Sequence, residues 1–557
     1  RHSFPTRRSS DLVFANMPQK KLDTLLSIPI LGKIVAKKVL TKLGLNEVVM
    51  AGSGSAPIPP ALIAWYRRLG LHLVEGYGMT EDFAYSHTTT KTLNALVLGT
   101  LVLSGCASFS PDGGFDTVRE TTRARIGADA QWARSDEARK EIDTRVTELL
   151  AKPLAAEDAV QVAIYNNRGL RAAFYDLGIS EAEMVQAGRL PNPHFSMLRT
   201  SRAENGVREF KIEQVLTFNL FALITMPLAV EVEKRNFAQT QRMTALEVAR
   251  LASETRKAYF GAIAAEESVR YLRKVKQAAE AGAGLARKMA EVGNFNRLQQ
   301  ASEQGFYASA ALDLARAEQA SIAARERLTK LLGLPSPQAI RLPERLPDLP
   351  KLPDELPAVE QTALDQRLDL QAVRLETEAL AKNLGLTQAT RFINVLEFGP
   401  ARVLEGTRDS GYKRGYEVSF ELPIFDFGGS KVAKAEAIYG QAVERAAEAA
   451  INARSEVREA YSAYRNSFDI AKHYRDEIVP LNKRIAEENL LRYNGMLIGV
   501  FDLLADARSQ ISSVNSYIES LRDYWIAQSD LQMALIGKPS LAAASRTAPA
   551  STGRPDH

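Results

Sequence analysis

One cysteine in 557 residues excludes a disulfide framework, a thiolate zinc site and an iron–sulfur cluster. Six histidines, scattered from His2 to His557, leave little for a histidine-rich metal centre, and neither metal nor cofactor is expected. Long apolar runs are also missing, so a bundle of transmembrane helices, each needing about 20 such residues, is excluded. Charge is close to balance, at +5 over the whole length, which makes no case for nucleic acid as a partner. Aromatic residues are only 7%, whereas the middle of the chain is rich in Ala, Glu, Arg, Leu and Gln, the formers of long helices. With 45% hydrophobic and 25% charged residues the chain is ordinary folded material, too long for one compact core.

Composition shifts divide the chain. Residues 1–12 are basic and polar, lack an apolar period and resemble translated sequencing-adapter DNA; they are set aside as a disordered leader. In residues 13–87 a short apolar strand at Val48 runs into Gly-Ser-Gly-Ser-Ala-Pro57, and a second strand from Leu71 ends in Tyr77-Gly-Met-Thr-Glu81. This stretch resembles the middle of the adenylate-forming acyl-CoA synthetase family. The resemblance implies Tyr77 against the base, Thr80 near the phosphate and Glu81 towards magnesium. No phosphate loop with its lysine precedes these motifs and no domain with the catalytic lysine follows. A few strands cut from a large α/β domain cannot close a core, so an inactive, truncated fragment is expected.

Residues 88–106 read as an export signal. Lys91 is followed by about 11 mostly apolar residues, too short a run for a stable membrane span, and then by Leu103-Ser-Gly-Cys106. That tetrad resembles the bacterial lipobox, which implies lipid attachment at Cys106; Ala107 after it favours the outer membrane. The alternative is a buried apolar helix ending in a chance cysteine. Export machinery reads a signal near a free N-terminus, so the true start is expected close to Lys91, with the preceding stretch joined artificially.

From about residue 120 the pattern is helical. Leu190-Pro-Asn-Pro193 ends a helix, and period-two alternation follows: Phe210, Ile212 and Leu216 face one way, Glu209, Lys211 and Glu213 the other. With residues 194–199 this predicts a β-hairpin. Between Pro227 and Pro335 no proline intervenes, which predicts two antiparallel helices of roughly 50–60 residues turning at residues 292–298. Seven prolines in residues 335–357 predict an extended linker. The programme then repeats: a helix over about 360–388, a hairpin ending in Tyr416–Leu422, Pro423-Ile-Phe-Asp-Phe-Gly-Gly429, a long helix to about Leu491, a turn at residues 493–499 and a last helix to about Ile536. The tail from Pro539 is Ala/Ser/Thr/Pro-rich and expected to be disordered. The domain boundaries are therefore 1–12, 13–87, 88–106, a first repeat 107–334, the linker 335–357, a second repeat 358–538 and the tail 539–557.

Four strands per chain cannot close a barrel, and an open amphipathic sheet in a membrane leaves edge groups unpartnered. Three chains would supply twelve strands, an even number suited to outer-membrane barrels. Residues 91–540 resemble the outer membrane factor family of TolC-like efflux proteins. The resemblance rests on the lipobox, Leu190-Pro-Asn-Pro193, the paired hairpins, Leu422-Pro-Ile-Phe-Asp-Phe-Gly428 and the two helix turns, in order and spacing. It implies a mainly α fold with a small β part: a homotrimeric twelve-stranded outer-membrane barrel continued by a helical periplasmic tunnel, in contact with outer-membrane lipid. It implies as partners a periplasmic adaptor and an inner-membrane pump, whose substrates the channel conducts passively.

Within that resemblance Asp502 matches the first aspartate of a ring narrowing the periplasmic entrance, and Asp506 sits one position past the usual second. Surface aspartates favoured by a helix N-terminus are the alternative. The turns carrying Gly293, Asn294 and Leu298, and Gly495 and Gly499, are candidate adaptor contacts, or else mere connectors. No enzyme constellation is present in residues 107–557: His194 and His473 are isolated, and Gly428-Gly-Ser-Lys431 lacks phosphate-loop spacing. The competing readings are a soluble coiled-coil scaffold and a remnant fatty-acid:CoA ligase.

Overall fold

The computed structural model describes residues 108–539 except 205–206, 338–339, 394 and 408, together with Leu40, 50–53 and 72–75. Two compact units are present, Arg1–Thr100 and Leu101–His557. In the first, β1 (Met50–Ser53) and β2 (His72–Glu75) pair in parallel. Tyr77, Thr80, Glu81 and Cys106 lie outside the described residues, as do the leader, the signal segment and the tail beyond Pro539.

The second unit opens with four helices, α1 (Phe115–Ile126), α2 (Asp136–Leu150), α3 (Ala156–Asn166) and α4 (Arg168–Ala187). A hairpin follows, β3 (His194–Glu204) and β4 (Val207–Asn219), then α5 (Leu220–Glu291) and α6 (Arg297–Leu331). The second repeat has α7 (Val359–Gln366), α8 (Leu368–Thr390), β5 (Leu396–Gly406), β6 (Lys413–Phe420), α9 (Gly429–His473), a π-helical turn (Tyr474–Ile478), α10 (Val479–Asn494) and α11 (Val500–Ile536).

The expectation of two similar long helices after Pro227 is corrected. α5 spans 72 residues and runs through Pro227, whereas α6 has 35. Asn219 caps α5 by accepting from the Ala222 N–H at 2.8 Å, so the helix is nucleated before the proline. Pro227 then removes one bond, to Leu223, near the start of a long ladder. The predicted helix to Leu491 is likewise divided: the π turn ends just ahead of Pro480, which cannot donate to Asp476, and the register slips there.

Each repeat also breaks a helix that the sequence suggests is continuous, at Asn167 and at Arg367, both extended. Asn167 caps α4 by accepting from the Leu170 N–H at 3.0 Å. Arg367, 2% exposed, donates to Asp369 at 2.6 Å and lies 2.8 Å from Glu456 on α9. Burial pulls its pKa down, but the bonds and charges of Asp369 and Glu456 more than offset this, so it is raised.

The core gathers the middle of α5 against the C-terminal halves of α9 and α11, where Phe260 stacks on Trp525 at 5.2 Å and Tyr464 meets Tyr524 at 5.5 Å. The proline-rich segment is extended yet built into this core. Ile340, Leu346 and Leu349 are buried, the Trp525 indole N–H donates to the Pro347 carbonyl at 3.1 Å, and the Asp354 N–H donates to the Tyr464 hydroxyl at 3.0 Å.

Candidate functional site

Two places in the second unit carry unusual surface. One is the sheet, ordered β3-β4-β5-β6 and antiparallel throughout, so the hairpins of the two repeats join through β4 and β5. Registers place Phe195, Met197, Phe218, Phe398, Tyr416, Val418 and Phe420 on one face, all exposed. Ser196, Thr200, Lys211, Glu213, Glu405, Glu417 and Ser419 occupy the other face. The strands alternate, and the Phe195 face also carries Arg199, Gln214, Arg402 and Arg414 nearer the hairpin tips, where Leu404 is buried, while its aromatic residues nearer the helices stay exposed. The outer edges, β3 and β6, pair with no further strand among the described residues. Near the helix-side end of the β4–β5 seam, Gly399 fits so closely that a Cβ there would stand 1.8 Å from the Leu216 carbonyl oxygen.

The other place is the pair of helix tips. Between α5 and α6 the chain turns on Gly293 at φ +80°, and the Asn294 N–H donates to the Met289 carbonyl at 2.8 Å. Asn296 and Gln299 close a reciprocal capping box that starts α6. Between α10 and α11 Gly495 ends the helix, Met496 adopts φ 59°, and the Leu497 N–H returns to the Arg492 carbonyl at 2.8 Å. Apolar side chains crown both turns: Val292, Leu298, Met496 and Leu497 are exposed. Gly499 accepts from the Leu503 N–H at 3.4 Å as α11 begins.

Asp502 lies in the first turn of α11. Asp506, one turn on, accepts a hydrogen bond from the Asn489 amide of α10, so its carboxylate is engaged with its own helix pair. A tie between the two repeats lies just behind the tips: Arg508 on α11 donates to Glu303 on α6 and stands 4.3 Å over the Phe306 ring. Sequence reasoning missed this pair. Its signal is a charge on each apolar stripe, Glu303 in line with Ala310 and Leu314, and Arg508 in line with Ile511 and Ile518. Beyond it α5, α6 and α11 leave a groove of about 560 Å³ with small residues such as Gly261, Ala264 and Ala317 in its wall.

Among the described residues no three His, Cys, Asp or Glu side chains gather into a metal-holding group. No helix there is long and apolar enough to cross a membrane.

No family model matches the chain. It is 25% identical over 287 residues, half of its own length, to the cobalt-zinc-cadmium resistance protein CzcC of Cupriavidus metallidurans, and the match spans 64% of that relative. Its structure is similar to a membrane protein from Pseudomonas aeruginosa, with TM-score 0.61 and 20% identity over 68% of this chain and 93% of the other. It is also similar to the open state of the MtrE outer membrane channel of Neisseria gonorrhoeae, with TM-score 0.58 and 20% identity over 71% and 89%. The chain thus carries, over about two thirds of its length, the mostly helical fold with a small antiparallel sheet found in outer-membrane channels.

Proposed function

We propose that this chain is the outer-membrane channel-tunnel of a tripartite efflux system, with no catalysis of its own. The observation that carries the reading is the sheet. Its aromatic residues are exposed on one face, Lys211, Glu213, Glu405 and Glu417 stand on the other, and its outer strands pair with no further strand among the described residues, as a barrel segment requires. Three copies would close it with twelve strands, lipid outside and water inside. The helices continuing from it reach far: the 72 residues of α5 span about 108 Å at 1.5 Å per residue.

In this reading the helix tips form the periplasmic entrance. Asp502 contributes a threefold carboxylate ring that attracts cations and narrows the opening. Asp506 acts behind it, held by Asn489. The turns at Gly293, Asn294 and Leu298, and at Gly495 and Gly499, with their exposed apolar crowns, receive a periplasmic adaptor that joins the tunnel to an inner-membrane pump. Cys106 carries the lipid anchor. The name of CzcC puts cobalt, zinc and cadmium ions first among cargoes to test.

The test uses residues 91–557 behind a start methionine in a Gram-negative host, with membranes separated on a density gradient and the detergent-extracted species weighed. A trimer in the outer-membrane fraction is expected. A soluble monomer or dimer would leave the coiled-coil scaffold in its place.

A further inference from the structure

Charge is divided between the two faces of the sheet. The registers put all six acidic residues of the four strands, Glu204, Glu209, Glu213, Glu397, Glu405 and Glu417, on one face. Lysines stand there with them: Lys413 lies 3.3 Å from Glu405 and Lys211 lies 3.6 Å from Glu213. The aromatic face carries four arginines, Arg199, Arg208, Arg402 and Arg414, and no acidic strand residue.

Three of those arginines form a band, and all three are exposed. Arg402 on β5 stands directly opposite Arg414 on β6, a like-charge pair that destabilises a sheet when nothing lies between the charges. On its other side Arg402 faces Gln214 and donates to the amide oxygen at 2.5 Å. Arg199 on β3 is one row nearer the tips, opposite Ile212. Aromatic rings steer two of the guanidinium groups without neutralising them: Arg402 stands 5.2 Å over Tyr412 and Arg199 stands 5.7 Å over Phe210. The band sits where the apolar surface ends. Along β6, Tyr416, Val418 and Phe420 lead from it towards the helices, and the exposed apolar run continues in Leu422, Ile424 and Phe425. In the other direction β6 begins at Lys413, one residue before Arg414.

We propose that Arg402, Arg414 and Arg199 bind the phosphate groups of a glycolipid in the outer leaflet of the membrane. This inference rests on the channel reading, which lays the aromatic face against lipid and turns the hairpin tips to the cell exterior. Arginine on the lipid face carries a large penalty at the bilayer midplane and a small one at the boundary, where its long side chain reaches the headgroups. A phosphate set between Arg402 and Arg414 turns a repulsive pair into a clamp, because each planar guanidinium gives two parallel N–H···O bonds to one anion. Arg199 stands two strands away, about 10 Å across the sheet, so a headgroup carrying two phosphates engages both places. Free phosphate offers the same chemistry to the arginines, but only a lipid also lays acyl chains on Tyr416, Val418 and Phe420 in the rows beside them.

The test records native mass spectra of the protein in non-ionic detergent with three probes: bisphosphorylated lipid A, the same lipid with both phosphates removed, and inorganic phosphate. Expected is retention of the bisphosphorylated lipid alone. Its binding should weaken about tenfold or more in Arg402→Gln with Arg414→Gln. It should be unchanged in Lys211→Gln with Lys413→Gln, whose charges lie on the other face. The dephosphorylated lipid tests the site without any substitution, and its equal retention would overturn phosphate recognition. Undiminished binding by the arginine double variant would overturn these residues as the site. Displacement of the lipid by an equal concentration of inorganic phosphate would overturn the lipid as the ligand. A protein multimeric in detergent that retains neither lipid would overturn the inference and leave the channel standing. A monomer soluble without detergent would overturn both.

Discussion

Arg508 on α11 reaches across to Glu303 on α6 at 3.0 Å, and Glu303 is 1% exposed. Glu303 lies within the first two turns of α6 and Arg508 within the first three of α11, so one ion pair couples the two repeats close behind both tips. Arg508→Ala strands a buried carboxylate. Because the arginine is itself partly exposed, the expected loss is about 2–3 kcal/mol, below that for a fully buried pair. Thermal unfolding in detergent checks the loss, and limited proteolysis should show faster cleavage at the two turns. Unchanged stability and cleavage would mean that the tips are held by other contacts.

Tyr259 predicts an alkaline pH dependence. Its hydroxyl donates to the Leu154 carbonyl at 2.8 Å, and burial, aided by the Asp158 carboxylate, pushes its pKa from 10.0 up to about 12. Above pH 10 the unfolded chain loses this proton while the folded one keeps it, so stability falls as pH rises, by up to about 1.4 kcal/mol per unit until the folded pKa is reached. Tyr259→Phe should cost about 1 kcal/mol at neutral pH for the lost bond. Denaturant titrations of both proteins should show that gap closing within about one pH unit above 10 and reversing before the folded pKa of about 12 is reached. A gap that stays constant would mean that the phenol is not held neutral by the fold.

Gly428 is the point where the second repeat turns from sheet to helix. It sits at φ +76°, and a Cβ there would stand 2.4 Å from the Arg391 carbonyl oxygen. Gly428→Ala should cost about 2–3 kcal/mol through left-handed strain and displacement of the α8 terminus. Gly429→Ala is the control: it has open space and lies inside the first turn of α9, so it should be neutral or slightly stabilising. Melting temperatures of the pair check this, with equal effects contradicting it.

The repeat, the hairpins and both helix turns were legible because their signals are local: alternation of period two, and glycine and asparagine at the turns. The helix breaks at Asn167 and Arg367 were not, since the second depends on Glu456, distant in sequence, meeting a buried guanidinium. Pro227 misled because a proline about two turns beyond a good cap costs a single bond and does not end a helix. The proline-rich segment was readable as extended, but its place in the core rests on Ile340, Leu346 and Leu349, too sparse to give a period. At the tips the sequence pointed to Asp502 and Asp506 by position alone. The bond from Asn489 to Asp506 and the Glu303–Arg508 tie appear only when neighbouring helices are in place.

In a channel of this kind the sheet lies in a lipid bilayer with its aromatic face outward. Val418 and Ser419 are adjacent on β6 and face opposite ways, so they test it most directly. With Cys106 replaced by serine, Val418→Cys and Ser419→Cys are each labelled with an environment-sensitive fluorophore in reconstituted vesicles. The label at residue 418 should be quenched by brominated acyl chains and shielded from iodide, and the label at 419 should show the reverse. Quenching of both by iodide and of neither by the lipid would place the sheet in water and contradict the channel.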